Sequence, residues 1–353
     1  MISMSIVKRK QLPGWVMIVI PVAAVFVTLL ITAIPILIAG GNVFKAYGAL
    51  FHGALGSKFN LLETFVKASP LVLTGLAVAF AFRAKFWNIG AEGQLFAGAI
   101  MAAWVGIYFT WLPSFLVLPV MLIFGFLGGG LWATIPAFLK TKLKVDDVVT
   151  TLLLNYVIFH IMGALLFGPM QMPGSSWPRS ASIMEAAFYP ILIPRSRFHL
   201  GIIISLVAVA VIWFINKKTV FGYQSRGVGI NLNAAKFGGI NTNMVILKTA
   251  IISGGLAGLA GVGEIAAIHH NLMMDVSTGY GYTGIVIAML GNLHPIGVAL
   301  AAFFFSVISV GSQTMGRVAG IPTYIVGVIE GVALMTMLVF ILLKDYKIRW
   351  IKS

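Results

Sequence analysis

The sequence predicts an all-α, polytopic integral membrane protein with about ten transmembrane helices and with both termini in the cytoplasm. Of its 353 residues, 59% are hydrophobic and only 9% are charged, whereas a soluble domain carries about 25% charged residues. Apolar runs recur along the chain at roughly the 20-residue length that crosses a bilayer as a helix. The basic residues gather at the ends of these runs, as the topology of a membrane protein requires.

Ten apolar runs are candidates for these spans. They are Trp15–Ala39, Leu61–Phe82, Ile89–Thr110, Phe115–Leu139, Val148–Gly168, Leu200–Ile215, Val245–Ile268, Tyr280–Leu293, Ile296–Ser312 and Tyr324–Leu343. The eighth and ninth are short and only His294-Pro295 separates them, so they form a helical hairpin or one broken helix, and eight or nine spans is the alternative count. The chain, 1–353, is expected to be one membrane domain, with a tail at 1–14, a helical core at 15–343 and a tail at 344–353.

The positions of the 24 Lys and Arg residues indicate the orientation. With the N-terminus inside, the ten spans place most of these residues in the cytoplasm, in agreement with the positive-inside rule. The cytoplasmic groups are Lys8/Arg9/Lys10, Arg83/Lys85, Lys140/Lys142/Lys144, Lys217/Lys218/Arg226/Lys236 and Lys344/Lys347/Arg349/Lys353. The segment 217–243 is therefore expected on the cytoplasmic side. The first run is too long for the core of a signal peptide and is expected to remain as a span.

Two segments on the other side of the membrane are long. Gly40–Asn60 is mildly amphipathic and is expected to lie along the outer interface. Pro169–Phe198 contains five prolines, so it is expected to be irregular or only briefly helical. Lys67–Gly106 and Lys248–Ala288 share a pattern of a helix of small residues, a carboxylate and a glycine-containing break, which hints at duplicated halves.

The first candidate site is the stretch 86–94, FWNIGAEGQ, beside a predicted cytoplasmic boundary. A carboxylate inside a membrane is costly unless it is paired, so Glu92 is a functional candidate by default. Two interpretations stay open. Glu92 caps the N-terminus of its helix while Gly90 and Gly93 serve helix packing, or the stretch lines or gates a path through the membrane.

The second candidate site is the stretch 143–156, LKVDDVVTTLLLNY. Asp146 and Asp147 are suited to cap the N-terminus of the fifth span. Thr151 and Asn155 then enter the membrane, where such side chains usually bond to neighbouring backbone or helices. Asn155 is also a candidate substrate contact.

The stretch 253–261, SGGLAGLAG, is typical of tight helix crossings. Glu264 follows it in the same predicted span. Two interpretations stay open for this carboxylate, namely path lining and membership of a buried polar network.

A polar, basic and glycine-rich loop, FGYQSRGVGINLNAAKFGGI, occupies residues 221–240. Asn231 or Asn233 is suited to cap a short helix around Leu232–Phe237, and the glycine pair that follows is suited to end it. The loop either docks on a soluble partner or stays solvated near anionic lipid. Three upstream glycines are expected to keep the approach flexible: Gly222, Gly227 and Gly229.

Several chemistries are not expected from this sequence. It has no cysteine, which excludes disulfides and thiol chemistry. His269-His270 and Asp275 do not complete a metal-binding set, so no metal is expected. No P-loop, nucleophile motif or metalloprotease motif is present, so no catalytic residue and no ATP hydrolysis by the chain itself are expected. The net charge of +15 follows from membrane topology, and nucleic-acid binding is not expected.

Taken in order, FWNIGAEGQ, KTKLKVDDVVTTLLLNY, FGYQSRGVGINLNAAKFGGIN and SGGLAGLAG resemble the permease subunits of bacterial ABC importers for nucleosides and simple sugars. The nucleoside-type permeases that lie beside a basic-membrane-lipoprotein-type binding protein look most similar. The similarity covers residues 60–343, most of the chain. Asp147 stands where this family is expected to have a glutamate, a departure that leaves its capping role intact.

The resemblance implies a multi-pass protein of the bacterial cytoplasmic membrane with several partners. These are an ABC ATPase that binds ATP and Mg, a second homologous permease in a heterodimer, and an extracytoplasmic substrate-binding lipoprotein. No cofactor is expected in this chain. A short cytoplasmic helix of such permeases docks on the ATPase, and the coupling residues that this implies here are Gly222, Tyr223, Arg226, Gly227, Asn231, Asn233, Ala234, Ala235, Lys236 and Gly238.

A neutral nucleoside needs hydrogen bonds and aromatic stacking along its path rather than fixed charge. The residues expected to line that path are Asn88, Glu92, Gln94, Asn155, Glu264 and Asn292.

Other functions stay open on the sequence alone. The same role for a simple sugar such as ribose or galactose is the first alternative. An ion-coupled transporter would need ionisable groups at mid-membrane, for which Glu92, Glu264 and Glu330 are the candidates. An intramembrane enzyme is disfavoured because no paired catalytic motif is present, and a channel because no charged ring or filter is present.

Overall fold

The computed structural model describes residues 2–8, 14–320 and 346–352, together with short helical pieces between 327 and 340. Within this part of the chain, the elements are β1 (Ile2–Lys8), α1 (Gly14–Ile38), α2 (Val43–Leu55), α3 (Lys58–Arg83), α4 (Ala91–Tyr108), α5 (Ser114–Phe138), α6 (Asp147–Leu166), α7 (Leu200–Lys218), α8 (Val220–Ile230), α9 (Leu232–Phe237), α10 (Thr242–Gly263), α11 (Tyr280–Leu290), α12 (Pro295–Ala319) and β2 (Tyr346–Lys352). π-Helical turns at Leu139–Leu143 and Glu264–His269 extend α5 and α10, and Glu185–Ala187 is a 3-10 turn.

The membrane core is helical, as predicted. Six of the described helices are long and apolar enough to cross a membrane, and parts of α1 and α2 form a further candidate that is bent by 119°. Each of the first nine predicted spans coincides with a helix, but the count of ten is not confirmed, because Tyr324–Leu343 lies largely outside the described residues. α11 has only 11 residues, about 16 Å of helix, which is too short to cross alone.

The described residues form two compact units, one of residues 65–303 and one of the described residues within 1–64 and 304–353. In the first unit, α4, α5 and α10 pack at glycines. Gly98 of α4 and Gly129 of α5 approach Gly258 and Gly254 of α10 so closely that an added Cβ would overlap backbone atoms of the neighbouring helix. Small residues allow such close approach in membranes. The tight crossing predicted for SGGLAGLAG is therefore confirmed.

Two helices of this unit start at buried positions. Non-helical residues 84–90 (break 1) separate α3 from α4, and non-helical residues 270–279 (break 2) separate the π-helical end of α10 from α11. The N-termini of α4 and α11 are in contact, because the backbone N–H of Gly281 in α11 donates to the Glu92 carboxylate in α4 (2.6 Å). The pattern that these two parts of the sequence share therefore corresponds to a shared order of helix, break and helix.

One region of this unit is basic. Lys140 Nζ donates to the backbone carbonyl of Lys85 (2.6 Å), and Lys85 Nζ donates to that of Ile230 (3.3 Å). Arg226 donates to the carbonyl of Asn216 (3.2 Å), at the end of α7. Groups that were predicted to face the cytoplasm therefore lie together, as residues on one side of a membrane must. This region is called the basic end below.

The proline-rich segment 169–198 is irregular apart from its 3-10 turn, as predicted. It pairs with break 2 through backbone hydrogen bonds. The backbone N–H of Ser180 donates to the carbonyl of Leu272, and that of Ile183 donates to the carbonyl of His270 (both 2.9 Å).

In the second unit, α2 occupies most of the segment that was predicted to lie along the outer interface. The Thr32 hydroxyl of α1 hydrogen-bonds the Tyr47 hydroxyl of α2 (2.8 Å), and Ile36, Leu50 and Met315 belong to a common buried core. The strands β1 and β2 pair in antiparallel fashion over their whole length. This terminal ribbon was not predicted.

Candidate functional site

One face of α6 holds break 1 in place. Asp147, Thr151 and Asn155 are spaced four residues apart, so their side chains follow one another along the helix. In that order they accept hydrogen bonds from the backbone N–H groups of Trp87 (2.6 Å), Ile89 (3.1 Å) and Gly93 (2.8 Å). The Asn155 amide also donates to the Ile89 carbonyl (3.1 Å). This motif therefore supplies hydrogen bonds that a non-helical membrane segment cannot make with itself.

The adjacent carboxylates at the start of α6 have different roles. Asp146 is the N-cap, and its side chain accepts the N–H of Val149 (3.0 Å). Asp147 is buried, and besides Trp87 it binds Lys140 Nζ (2.5 Å). The predicted N-cap is confirmed for Asp146. Asp147 lies in the first turn of α6, where the helix dipole favours its charge, but its side-chain partners come from break 1 and from the end of α5.

Asn88 and Gln94, which were predicted to line a path, are buried and bound to each other. Each side-chain amide donates to the carbonyl oxygen of the other (2.8 Å for both). Asn88 also donates to the Ser253 hydroxyl (2.9 Å), which donates to the Ala77 carbonyl (2.7 Å). In this conformation Asn88, Gln94 and Asn155 position break 1, and their part in lining a path stays a prediction.

The two buried glutamates both have partners. Glu92 is 4% exposed and accepts a hydrogen bond at the start of α11, where a helix dipole favours a carboxylate. Glu92 also lies in the first turn of its own helix α4, as the capping interpretation predicts, so it stands at the N-termini of both α4 and α11. Glu264 is also 4% exposed and lies 3.5 Å from Nε2 of His269, whose side chain is 25% exposed. Its part in lining a path or in a buried polar network stays a prediction.

The last of the predicted path residues is Asn292. It is exposed, has a φ of 54° and forms the turn between α11 and α12. Burial, together with Lys217 and Arg83, lowers the pKa of His294 in the same turn, which places the turn near the basic end. Glu330 lies outside the described residues. Among the residues that the structure describes, no group of three or more His, Cys, Asp or Glu side chains is placed to hold a metal ion.

At the basic end, the loop 221–240 forms α8 and α9 in succession. α9 covers the predicted Leu232–Phe237, and Asn231 caps it by accepting the N–H groups of the second and third residues after it (3.0 and 3.1 Å). The helix ends at Gly238, and Gly239 has a φ of 81°, a conformation that favours glycine. The predicted short helix, its cap and its stop are confirmed.

The three upstream glycines lie inside the regular helix α8 rather than in a flexible segment. Gly222 packs on the carbonyl of Ile215 and Gly229 on that of Arg83, and a Cβ at either glycine would overlap these atoms. The expectation of a flexible approach is therefore wrong, because α8 is held against α7 and the end of α3.

The outer face of α8 and α9 is exposed and partly apolar. Phe237 is 96% exposed, Ile230 73% and Tyr223 71%. Phe237 was not among the predicted coupling residues. The signal that could have identified it is an aromatic residue at the end of a short polar helix, directly before a glycine stop.

The predicted coupling residues divide into two groups. Gly222 and Ala235 are buried, and Gly227 is half-buried, so these three are not on the outer face. The exposed ones are Tyr223, Arg226, Asn231, Asn233, Ala234, Lys236 and Gly238.

Comparison with known proteins agrees with the resemblance. The family described as branched-chain amino acid transport system / permease component matches residues 60–343. The glucose ABC transporter permease protein TsgB13 of Haloferax volcanii is 32% identical over 98% of this chain and 94% of its own length.

Two proteins of Bacillus subtilis are also similar. The guanosine ABC transporter permease protein NupP is 34% identical over 94% of both chains, and the guanosine ABC transporter permease protein NupQ is 28% identical over 69% of this chain and 78% of its own length. No solved structure gives a significant match. The match to residues 60–343, together with the helices long enough to span a bilayer, establishes that this chain is a multi-pass membrane protein that belongs to the branched-chain amino acid transport system / permease component family.

Proposed function

We propose that the chain is a permease subunit of an ATP-binding-cassette importer that carries nucleosides across the cytoplasmic membrane of a bacterium. The observation that carries this proposal is the similarity, over nearly the whole chain, to NupP, which is named for guanosine. The similarity to TsgB13, which is named for glucose, keeps a simple sugar as the second candidate substrate.

A partner ATPase would bind ATP and Mg and supply the energy, because this sequence carries no nucleotide-binding motif. We assign its contact to the outer face of α8 and α9 at the basic end. Exposed aromatic residues beside basic and small ones are typical of interface anchors. The residues of this docking surface are Tyr223, Arg226, Ile230, Asn233, Ala234, Lys236 and Phe237. Ala235 is left out because it is 7% exposed and anchors α9 from within.

Two further partners belong to the proposal. Bacillus subtilis has two different permease proteins named for guanosine, and this chain is similar to both, which supports a heterodimer of two homologous permeases. An extracytoplasmic lipoprotein would deliver the nucleoside and supply most of the specificity. The chain itself holds no cofactor in this assignment.

The test is uptake by vesicles that contain this chain, its second permease and its ATPase, purified together. We expect radiolabelled guanosine to accumulate only with enclosed ATP and with the binding lipoprotein outside, and an ATPase variant that binds but does not hydrolyse ATP to abolish accumulation. Accumulation of glucose instead of guanosine would show that the substrate is a sugar and not a nucleoside. Uptake that needs no ATP and that an uncoupler abolishes would show that transport is coupled to an ion gradient and not to an ATPase.

A further inference from the structure

The exposed face of α6 carries two polar aromatic residues. Tyr156 is 58% exposed, and His160 is exposed as well. They are four residues apart, so they lie on the same face of the helix. Both lie near the middle of the 20-residue helix Asp147–Leu166. An α6 placed across a bilayer therefore carries both side chains at the depth of the hydrocarbon.

The exposed face of α7 is different. Before Lys217 and Lys218 at its end, its exposed residues are all apolar: Ile203, Leu206, Val207, Ala210, Val211, Trp213 and Phe214. Such a face is suited to lipid. An imidazole in a membrane span almost always faces the bundle interior or a water-filled cavity, because its transfer into hydrocarbon is costly. The other exposed residues of α6 are apolar, with Leu153 and Val157 among them. The contrast therefore indicates that the part of the α6 face that carries Tyr156 and His160 faces water or another protein rather than lipid.

A third aromatic residue extends this face onto α11. Tyr282, 39% exposed, accepts a hydrogen bond at its hydroxyl from the Asn155 amide (3.3 Å). Asn155 is itself fixed by Ile89 and Gly93 of break 1 and the start of α4, so the position of the Tyr282 ring is set by the same cluster that holds break 1. Tyr282 also lies within electrostatic range of Tyr156 and Glu92. The three rings therefore belong to one surface, which we call the aromatic face: Tyr156, His160 and Tyr282.

The chemistry of the aromatic face fits a neutral, flat solute. Aromatic rings stack on nucleobases, while phenol hydroxyls and an imidazole can hydrogen-bond a sugar hydroxyl or the edge of a base. None of the three side chains carries a permanent charge. We propose that the aromatic face lines the translocation path and is a contact site for the nucleoside during its passage. This inference rests on the proposed function, since it takes a nucleoside as the solute.

The absence of cysteine from the chain makes one test direct. Tyr156→Cys and His160→Cys each add a single thiol to the aromatic face, and Val207→Cys adds one to the apolar face of α7 as the matched control. The variants are assembled with cysteine-free partner chains in vesicles and treated with a charged, water-soluble thiol reagent. We expect the reagent to modify the first two variants and not the control, and guanosine to slow the modification by roughly fivefold or more, as stacking energies of this size imply.

Each other outcome overturns the proposal. Modification of Tyr156→Cys and His160→Cys no faster than that of Val207→Cys would mean that lipid or the second permease covers the face. If guanosine does not slow the modification, the aromatic face is exposed to water but does not contact the nucleoside.

Measurements of guanosine uptake distinguish a failure of this inference from a failure of the proposed function. In vesicles where the wild-type protein imports guanosine, we expect Tyr156→Ala to raise the KM for uptake about tenfold, with Tyr156→Phe recovering most of the loss because it keeps the ring. Wild-type KM values in Tyr156→Ala and His160→Ala would overturn the inference alone. A wild-type protein that imports a sugar and no nucleoside would instead overturn the substrate of the proposed function.

Discussion

Lys140 and Asp147 join the basic end to break 1. Lys140 Nζ binds both the Asp147 carboxylate (2.5 Å) and the Lys85 carbonyl (2.6 Å), and Asp147 also holds the N–H of Trp87 (2.6 Å). The Asp147 side chain is 7% exposed and that of Lys140 is 21% exposed, so this pair is less screened by water than a surface ion pair. The charge of Asp147 therefore satisfies two donors from two different segments.

We expect Asp147→Asn to lower the free energy of unfolding by about 2 kcal/mol, since hydrogen bonds to a charged acceptor are lost at a buried site. Asp146→Asn is the matched control, because asparagine caps a helix as well as aspartate does, and it should leave stability unchanged. The measurement is the thermal unfolding midpoint of the purified complex, followed by tryptophan fluorescence. Equal midpoints for the two variants would contradict the role assigned to Asp147.

The residues whose roles could be predicted are those with nearby partners. The cap at Asn231 and the stop at Gly239 follow from residue types within a few positions of each other. By contrast, Asp147 meets Trp87 across 60 residues, and Glu92 meets Gly281 across 189. Sequence spacing places both carboxylates at the starts of helices, but it does not indicate which distant backbone each one will bind.

At the scale of the element, α9 is stable because of its surroundings. Its 6 residues are too few for a helix that stands alone in water. The Asn231 cap satisfies its first N–H groups, and Ala235 is buried at 7% exposure. These two restraints give α9 a fixed orientation, which leaves Phe237 projecting from the basic end.

We expect Phe237→Ala to weaken binding of the partner ATPase roughly thirtyfold, the loss typical of an aromatic interface anchor, while the fold stays intact. Leu206→Ala, at a site on α7 that is 57% exposed, is the control and should bind normally. Binding of purified ATPase to the permease pair in lipid nanodiscs provides the measurement. Unchanged affinity of Phe237→Ala would remove this residue from the docking surface.

Element boundaries show a similar division between what the sequence does and does not predict. Apolar runs predict where helices exist, since each must be apolar to cross a bilayer. The starts of α4 and α11 are less evident, because break 1 and break 2 depend on side chains of α6 and on Glu92 for their hydrogen bonds. Non-helical backbone in a membrane is tolerated only with such partners, and these partners come from elsewhere in the chain.

At the scale of the whole molecule, the pairing of β1 with β2 constrains the topology. Ile2 pairs with Lys352 and Lys8 with Tyr346. Two hydrogen-bonded strands must lie on the same side of a membrane, so the chain must cross an even number of times. The ten predicted spans and the alternative count of eight both satisfy this condition, whereas nine would not.

Fusions should test that arrangement. We expect a reporter that fluoresces only in the cytoplasm to be bright at either terminus, because the basic residues of both tails and of the basic end are retained inside. An enzyme reporter that is active only outside should work after Gly174 of the proline-rich segment and fail after Gly239, where neither glycine has a neighbour within 4 Å of an added Cβ. Opposite signals from the two termini would rule out the ribbon, and activity after Gly239 would place the docking surface on the wrong side for a cytoplasmic ATPase.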